Sequence, residues 1–243
     1  FKRGSTRNLE YLNMRKSTYG INVGNIKTSD NPAVNLAALQ AMSISNAPQV
    51  TIKNSKIYNN AFYGLFGFLG KIYAENTLVY NCGKNVINLS DGGEYEFLNC
   101  TFYARSSVYI SHSKEPLFYF NDYFKINDNA YLYADAASAY FENCIVYGTL
   151  EEEIVKDDLP ANPLNIDLKF DHCVVKTKPP IDASIFINYK IEDPQLIDVY
   201  KNNFNLKNTS PCRNYSTTTF PAFDINGFAR SGAATDCGAY LFR

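Results

Sequence analysis

The chain has 243 residues, 46% of them hydrophobic and only 19% charged, with a net charge of −1 and a pI near 6.2. That supports a packed core and argues against disorder. With no basic excess, no nucleic-acid partner is expected, and no stretch approaches the ~18 consecutive apolar residues of a membrane-spanning helix. Abundant Tyr and Phe, absent Trp and recurrent Asn favour strands joined by tight turns.

The chain opens on Phe1-Lys2-Arg3-Gly4-Ser5, which reads as the inside of a domain, so a piece of a longer protein is expected. Residues 1–48 are taken as truncated N-terminal coils. Within them, 31–45 carry Ala33, Leu36, Ala37, Leu39, Ala41 and Met42. A short helix is conceivable there, but the segment is read as irregular coil or strand.

From residue 49 a period emerges. Val50–Asn54, Tyr73–Asn76, Glu96–Asn99, Phe118–Asn121, Tyr140–Asn143 and Lys169–His172 align at spacings of 22, 23, 22, 22 and 29. The aligned position is Asn54, Asn76, Asn99, Asn121 and Asn143, then His172. Apolar and polar residues alternate by two on both sides of it, so each side is a strand. Asn suits a corner because it tolerates the left-handed backbone region, and stacked amides can bond the copies above and below. Third strands are placed at 63–68, 86–90, 108–111 and 130–136, and the one long interval is assigned to an insertion at 148–165. The period of two excludes helical solenoids. The expected fold is all-β: a right-handed parallel β-helix over 49–190 with a capping segment over 191–243. Coils lie ~4.8 Å apart, and no coil buries its apolar face alone.

Beyond Val175 the period is lost and turn signals follow at Pro179-Pro180, Asp193-Pro194, Ser210-Pro211 and Asn226-Gly227. The tail reads Asp193-Pro194-Gln195-Leu196-Ile197-Asp198, then Leu206 to Ser210-Pro211, Asp224-Ile225-Asn226-Gly227 with Arg230, and Asp236-Cys237-Gly238-Ala239-Tyr240. With the repeats, this string resembles bacterial right-handed β-helix proteins of the pectate-lyase-like superfamily, especially secreted and surface proteins of Bacteroidetes. Two departures fall in one short segment: Cys212 where that family usually has Ala, and Cys237 where it has Ile. Against that pattern the two thiols are expected to meet, as a disulfide or as two buried thiols. Cys100, Cys144 and Cys173 share one inward position and read as small core residues. Cys82 lies in a turn. No Cys-x-x-Cys spacing suggests zinc, and no metal ligands are assigned.

The resemblance implies a groove along an outer sheet, where lyases of the superfamily hold calcium on acidic residues. Three residues following their corners at similar offsets, Asp91, His112 and Asp135, are the candidate catalytic group, a His between two carboxylates. Ordinary solvated turn ends would look the same. The column Tyr58, Tyr80, Tyr103 and Tyr147 is the candidate sugar-binding face, or else an aromatic ladder stabilising a sheet. Glu151 to Glu153 with Asp157 and Asp158 form an acidic loop, a weak calcium site or simply solvated charge. His172 beside Asp171 reads as structural. The function expected is an extracytoplasmic, monomeric protein that binds or processes a complex polysaccharide. The alternatives are a non-enzymatic surface spacer, or a lyase or glycoside hydrolase with catalytic coils before Phe1.

Overall fold

The computed structural model describes residues 4–24, 37–38, 40–108, 110–127, 130–159 and 166–243. The first turn of the rod is β1 (Thr6–Glu10), β2 (Asn13–Arg15) and β3 (Tyr19–Val23). The second begins with β4 (Gln49–Lys53) and β5 (Lys56–Tyr58), and β6 (Tyr63–Glu75) closes it while opening the third. In the same way β7 (Leu78–Tyr80) is followed by β8 (Ile87–Leu98), which passes through a left-handed bend at Asp91 into the fourth turn. That turn continues with β9 (Thr101–Ala104) and β10 (Phe118–Asn121). A hairpin of β11 (Tyr123–Asn127) and β12 (Ala130–Tyr133) then leaves the stack. The next turn is β13 (Ala137–Glu142), β14 (Ile145–Gly148) and β15 (Ile154–Asp157). The rod ends with β16 (Asp167–Asp171), β17 (Val174–Val175) and β18 (Phe186–Ile187). The closing segment carries the hairpin β19 (Leu196–Asp198) and β20 (Asn203–Leu206).

All ladders between turns are parallel. Three columns result, one per side of the rod. Register is fixed by what points inward: Ile52, Ala74, Phe97, Phe141, Phe170 and Phe186 are direct partners on successive turns. The four phenyl rings stack at centroid distances of 4.6, 4.5 and 5.1 Å. Each buried ring contributes about 2–3 kcal/mol by transfer from water, and a slip of one residue would turn the whole file outward. One residue past the corner, Cys100, Cys144 and Cys173 form a second buried file, with the backbone N–H of Cys100 and of Cys144 donating to the next sulfur at 3.3 Å.

Corners are left-handed at Asn54, Asn76, Asn99 and Asn143 (φ 47–55°), and also at Tyr11, His172 and Asn188. Asn121 is the correction. It ends β10, whose Phe118–Phe120 pair with Ile87–Leu89 in the third-strand column, and it is absent from the left-handed set. The 44 residues from Asn99 to Asn143 are one turn carrying a loop and a hairpin, not two turns of 22. Three further placements change with it. Residues 108–111 form no strand among the described positions, and 130–133 belong to the antiparallel hairpin. Ile154–Asp157, inside the expected insertion, pairs in register with β10. Helical backbone at Ala37, Ala38 and Gln40, with the 3-10 turn Ile44–Asn46, replaces the coil or strand expected there; 31–36 and 39 lie outside the described residues.

The amides of the corner file are largely spent on the closing segment. Asn76 Nδ2 donates to the Phe223 carbonyl at 2.6 Å, Asn99 Nδ2 to Asp236 at 3.2 Å, and Asn143 Nδ2 to Thr219 at 2.8 Å. Among the described residues, direct amide contacts along the file join Asn76 to Asn54 and Asn143 to Asn99. Arg230, buried, donates to the carbonyls of Asp236 (2.8 Å) and Gly238 (2.7 Å) and to Asn76 Oδ1 (3.3 Å). Asp224 and Asp236 accept backbone N–H groups from Leu241, Phe242 and Asn214, which ties the ends of the segment together.

Candidate functional site

The residues expected to form a catalytic group are not brought together. Asp91 is buried at the bend of β8, where its N–H donates to Asn121 Oδ1 at 2.9 Å. Asp135 is exposed and accepts from Ser43 Oγ and the Ile44 N–H, 2.5 and 2.9 Å. His112 is buried, and its Nε2 lies 2.9 and 3.0 Å from the carboxylate oxygens of Glu153. Glu153, wholly buried, also accepts from the N–H groups of Leu117 (2.9 Å) and Leu150 (2.8 Å). This pair pins the long excursion between β9 and β10 to the rod. A carboxylate with every oxygen engaged and no exposure has no route to a substrate, so its part is structural. Glu153 reads in sequence as one of a solvated acidic run, which hid it.

The tyrosine column is corrected as well. Tyr58, Tyr80, Tyr103 and Tyr147 are in-register partners in the second-strand sheet, as the period requires. Tyr80, Tyr103 and Tyr147 are only 5, 9 and 8% exposed, because the closing segment lies over them. Phe204 packs against Tyr80 and Tyr103 at ring-centroid distances of 4.6 and 5.7 Å. Burial, and then the nearby Asp193 carboxylate, push the Tyr103 phenol up to about 12. The column is a second core and offers no open platform.

The acidic loop does not fit calcium. Glu153 is committed inward, Glu152 accepts from Lys178 N and Thr177 Oγ1, and Asp157 accepts from the hydroxyls of Tyr119 and Tyr123. No cluster of three or more metal-ligating side chains occurs among the described residues. His172 stands at its corner with Nδ1 2.8 Å from Asp171 Oδ1.

An open site lies elsewhere, along the second corner of each turn. Lys16, Asn59 and Asn81 are left-handed there (φ 59, 54 and 51°), each following its first corner by five residues. They line one side of a groove of about 1020 Å³, whose far wall is Arg105–Val108 and Ile110 with Tyr200 and Asn202 of the closing segment. Arg105 builds that wall: Nε donates to the Val199 carbonyl at 3.1 Å, Nη1 to Ser106 at 3.0 Å, and the guanidinium lies 4.9 Å from the Tyr200 ring centroid. Tyr200 is thereby held in place while 75% exposed. Behind it, the Ser106 hydroxyl bonds both backbone groups of His112, so the His112–Glu153 anchor supports the wall. Asn81 is almost completely buried, yet its Oδ1 accepts no hydrogen bond. Buried polar atoms are normally paired, so an unspent acceptor at a groove points to a ligand. Arg105 stands out in sequence only as a basic residue near His112. Asn59 and Asn81 carry a readable signal, a second asparagine file with the same 22-residue spacing. Tyr200 carries none.

No described helix is long and apolar enough to cross a membrane. A family model described as right handed beta helix region matches residues 3–146 and, in a second alignment, 39–178. No curated protein matches the chain.

Proposed function

We propose, from the premise that this chain belongs to the right-handed β-helix family, that it is an extracytoplasmic protein binding a complex polysaccharide in the second-corner groove. One observation carries this: a rigidly mounted, exposed tyrosine faces a file of corner amides across an elongated groove. The ring supplies an apolar face with a polar rim, suited to the flat side of a sugar. The amides and the Thr18 hydroxyl supply donors and acceptors for sugar hydroxyls. From Lys16 to Asn81 the groove follows three turns, roughly 10 Å at the coil spacing, so it takes a short stretch of extended polymer. Binding is favoured over processing because Asp91, His112 and Asp135 lie outside the groove and no carboxylate or histidine lines it among the described residues.

The test is a glycan array followed by titration calorimetry on the best polysaccharide. Tyr200→Ala is expected to weaken binding about tenfold, ~1.4 kcal/mol, while leaving the thermal midpoint unchanged because the side chain is exposed. An array without a hit, or equal affinity for Tyr200→Ala, would overturn the proposal in favour of a spacer rod.

A further inference from the structure

Five of the six cysteines gather behind the first corner, but they are of two kinds. Those of the repeat are saturated. Cys144 Sγ donates to the Phe97 and Glu142 carbonyls and Cys173 Sγ to the Phe141 carbonyl, all at 3.3 Å, and each of these two sulfurs also accepts a backbone N–H. Cys212 and Cys237 belong to the closing segment and differ in both respects. Their backbones meet directly, Cys237 N–H donating to the Cys212 carbonyl at 2.9 Å. A backbone hydrogen bond keeps the two segments adjacent, as a disulfide with Cα atoms about 4.4–6.8 Å apart requires. Both side chains are fully buried in the same apolar cluster, with the Cys212 thiol a neighbour of the Cys237 thiol. Burial, and then this contact, hold the Cys237 thiol well above its ordinary value. In this structure both are free thiols.

We infer that Cys212 and Cys237 are a disulfide site, a covalent clasp within the closing segment that holds it in its docked shape. The bond closes the chain from 212 to 237, which contains the docking groups Asp224, Arg230 and Asp236. With both sulfurs inaccessible once docked, it forms while the segment folds. The thiolate of one cysteine attacks a disulfide donor and expels a thiol. The second thiolate attacks the mixed disulfide and expels the other, so two electrons and two protons pass to the donor. Once made, the bond is shielded from reductants by the same burial, as structural disulfides are.

The experiment refolds the full chain from denaturant, with a glutathione disulfide–thiol mixture and, separately, with excess thiol alone. Each sample is then alkylated under denaturing, non-reducing conditions for intact mass and peptide mapping. Of the six thiols, the bonded pair is expected to escape, leaving four labelled after oxidative refolding and all six after reductive refolding. The cross-linked peptide is expected to join 212 to 237. Six labelled thiols in both samples, or a cross-link joining any other pair, overturns the inference. Cys212→Ser serves as the control, with its remaining five thiols all labelled. The count needs no glycan, so its failure and the failure of the groove proposal are separable.

Discussion

The two files of left-handed corners are built from the same device and put to opposite uses. Along the first corner, Asn76, Asn99 and Asn143 give their amides to the closing segment and vanish beneath it. Along the second, Asn59 and Asn81 make no side-chain hydrogen bond to that segment among the described residues, and the groove runs beside them. Winding geometry selects asparagine at both, because it is the non-glycine side chain that best accepts the left-handed region. What covers the corner decides whether the amide becomes a structural fastening or an available one.

The largest break in that contrast is expected at Arg230. Its guanidinium fills a buried position and serves two carbonyls and the Asn76 amide oxygen. Arg230→Ala strands those acceptors and leaves a cavity, a loss of about 3–4 kcal/mol. A urea titration should show a clearly lower midpoint. The groove should weaken with it, since Tyr200 rides on the same segment. A midpoint within about 1 kcal/mol of the parent would mean that the first corner is not fastened through this residue.

A smaller and sharper difference separates equivalent positions of the two files. Asn99→Ala forces alanine into a left-handed corner and abandons the bond to Asp236 and the long one from Asn143, about 2 kcal/mol together. Asn59→Ala has only the first of these costs, about 1 kcal/mol. Chemical denaturation of the two variants side by side reads the gap. Equal losses would show that the closing segment gains nothing from the amides it covers.

The fold was legible because the corner asparagines and the inward file repeat at a spacing that only stacked coils explain. The error at Asn121 has a physical origin. Phe118-Tyr119-Phe120-Asn121 is a half-buried strand ending in Asn, like the first sides of the neighbouring coils, so alternation identifies a strand without saying which side it occupies. Two residues before a true corner the side chain points inward, as Phe97 and Phe141 do. Before Asn121 that place is held by Tyr119, partly exposed, while Phe118 and Phe120 point in. The shift in phase was the available signal. The tyrosine column is legible as a column, and the sequence leaves open whether it is a sugar-binding face or a ladder within a sheet, because its cover arrives from residues 196–240, far away in sequence. Glu153 was hidden for the same reason: its partner His112 lies 41 residues earlier.

The smallest expected effect on stability is the one that best isolates the open corner. At Asn81, glycine keeps the left-handed backbone (φ 51°) without penalty and removes only the amide. Asn81→Gly should therefore cost no more than about 0.5 kcal/mol of stability, mostly from added freedom in the unfolded chain. The removed acceptor has no partner within the protein, so nothing is left stranded by its loss. A ligand that uses it would lose one hydrogen bond, about 1 kcal/mol and hence roughly fivefold in affinity. Calorimetry with the polysaccharide that binds best, set against the urea midpoint of the same variant, separates the two. Unchanged affinity beside unchanged stability would mean that the Asn81 acceptor is idle, and that the groove reads its ligand through Tyr200 alone.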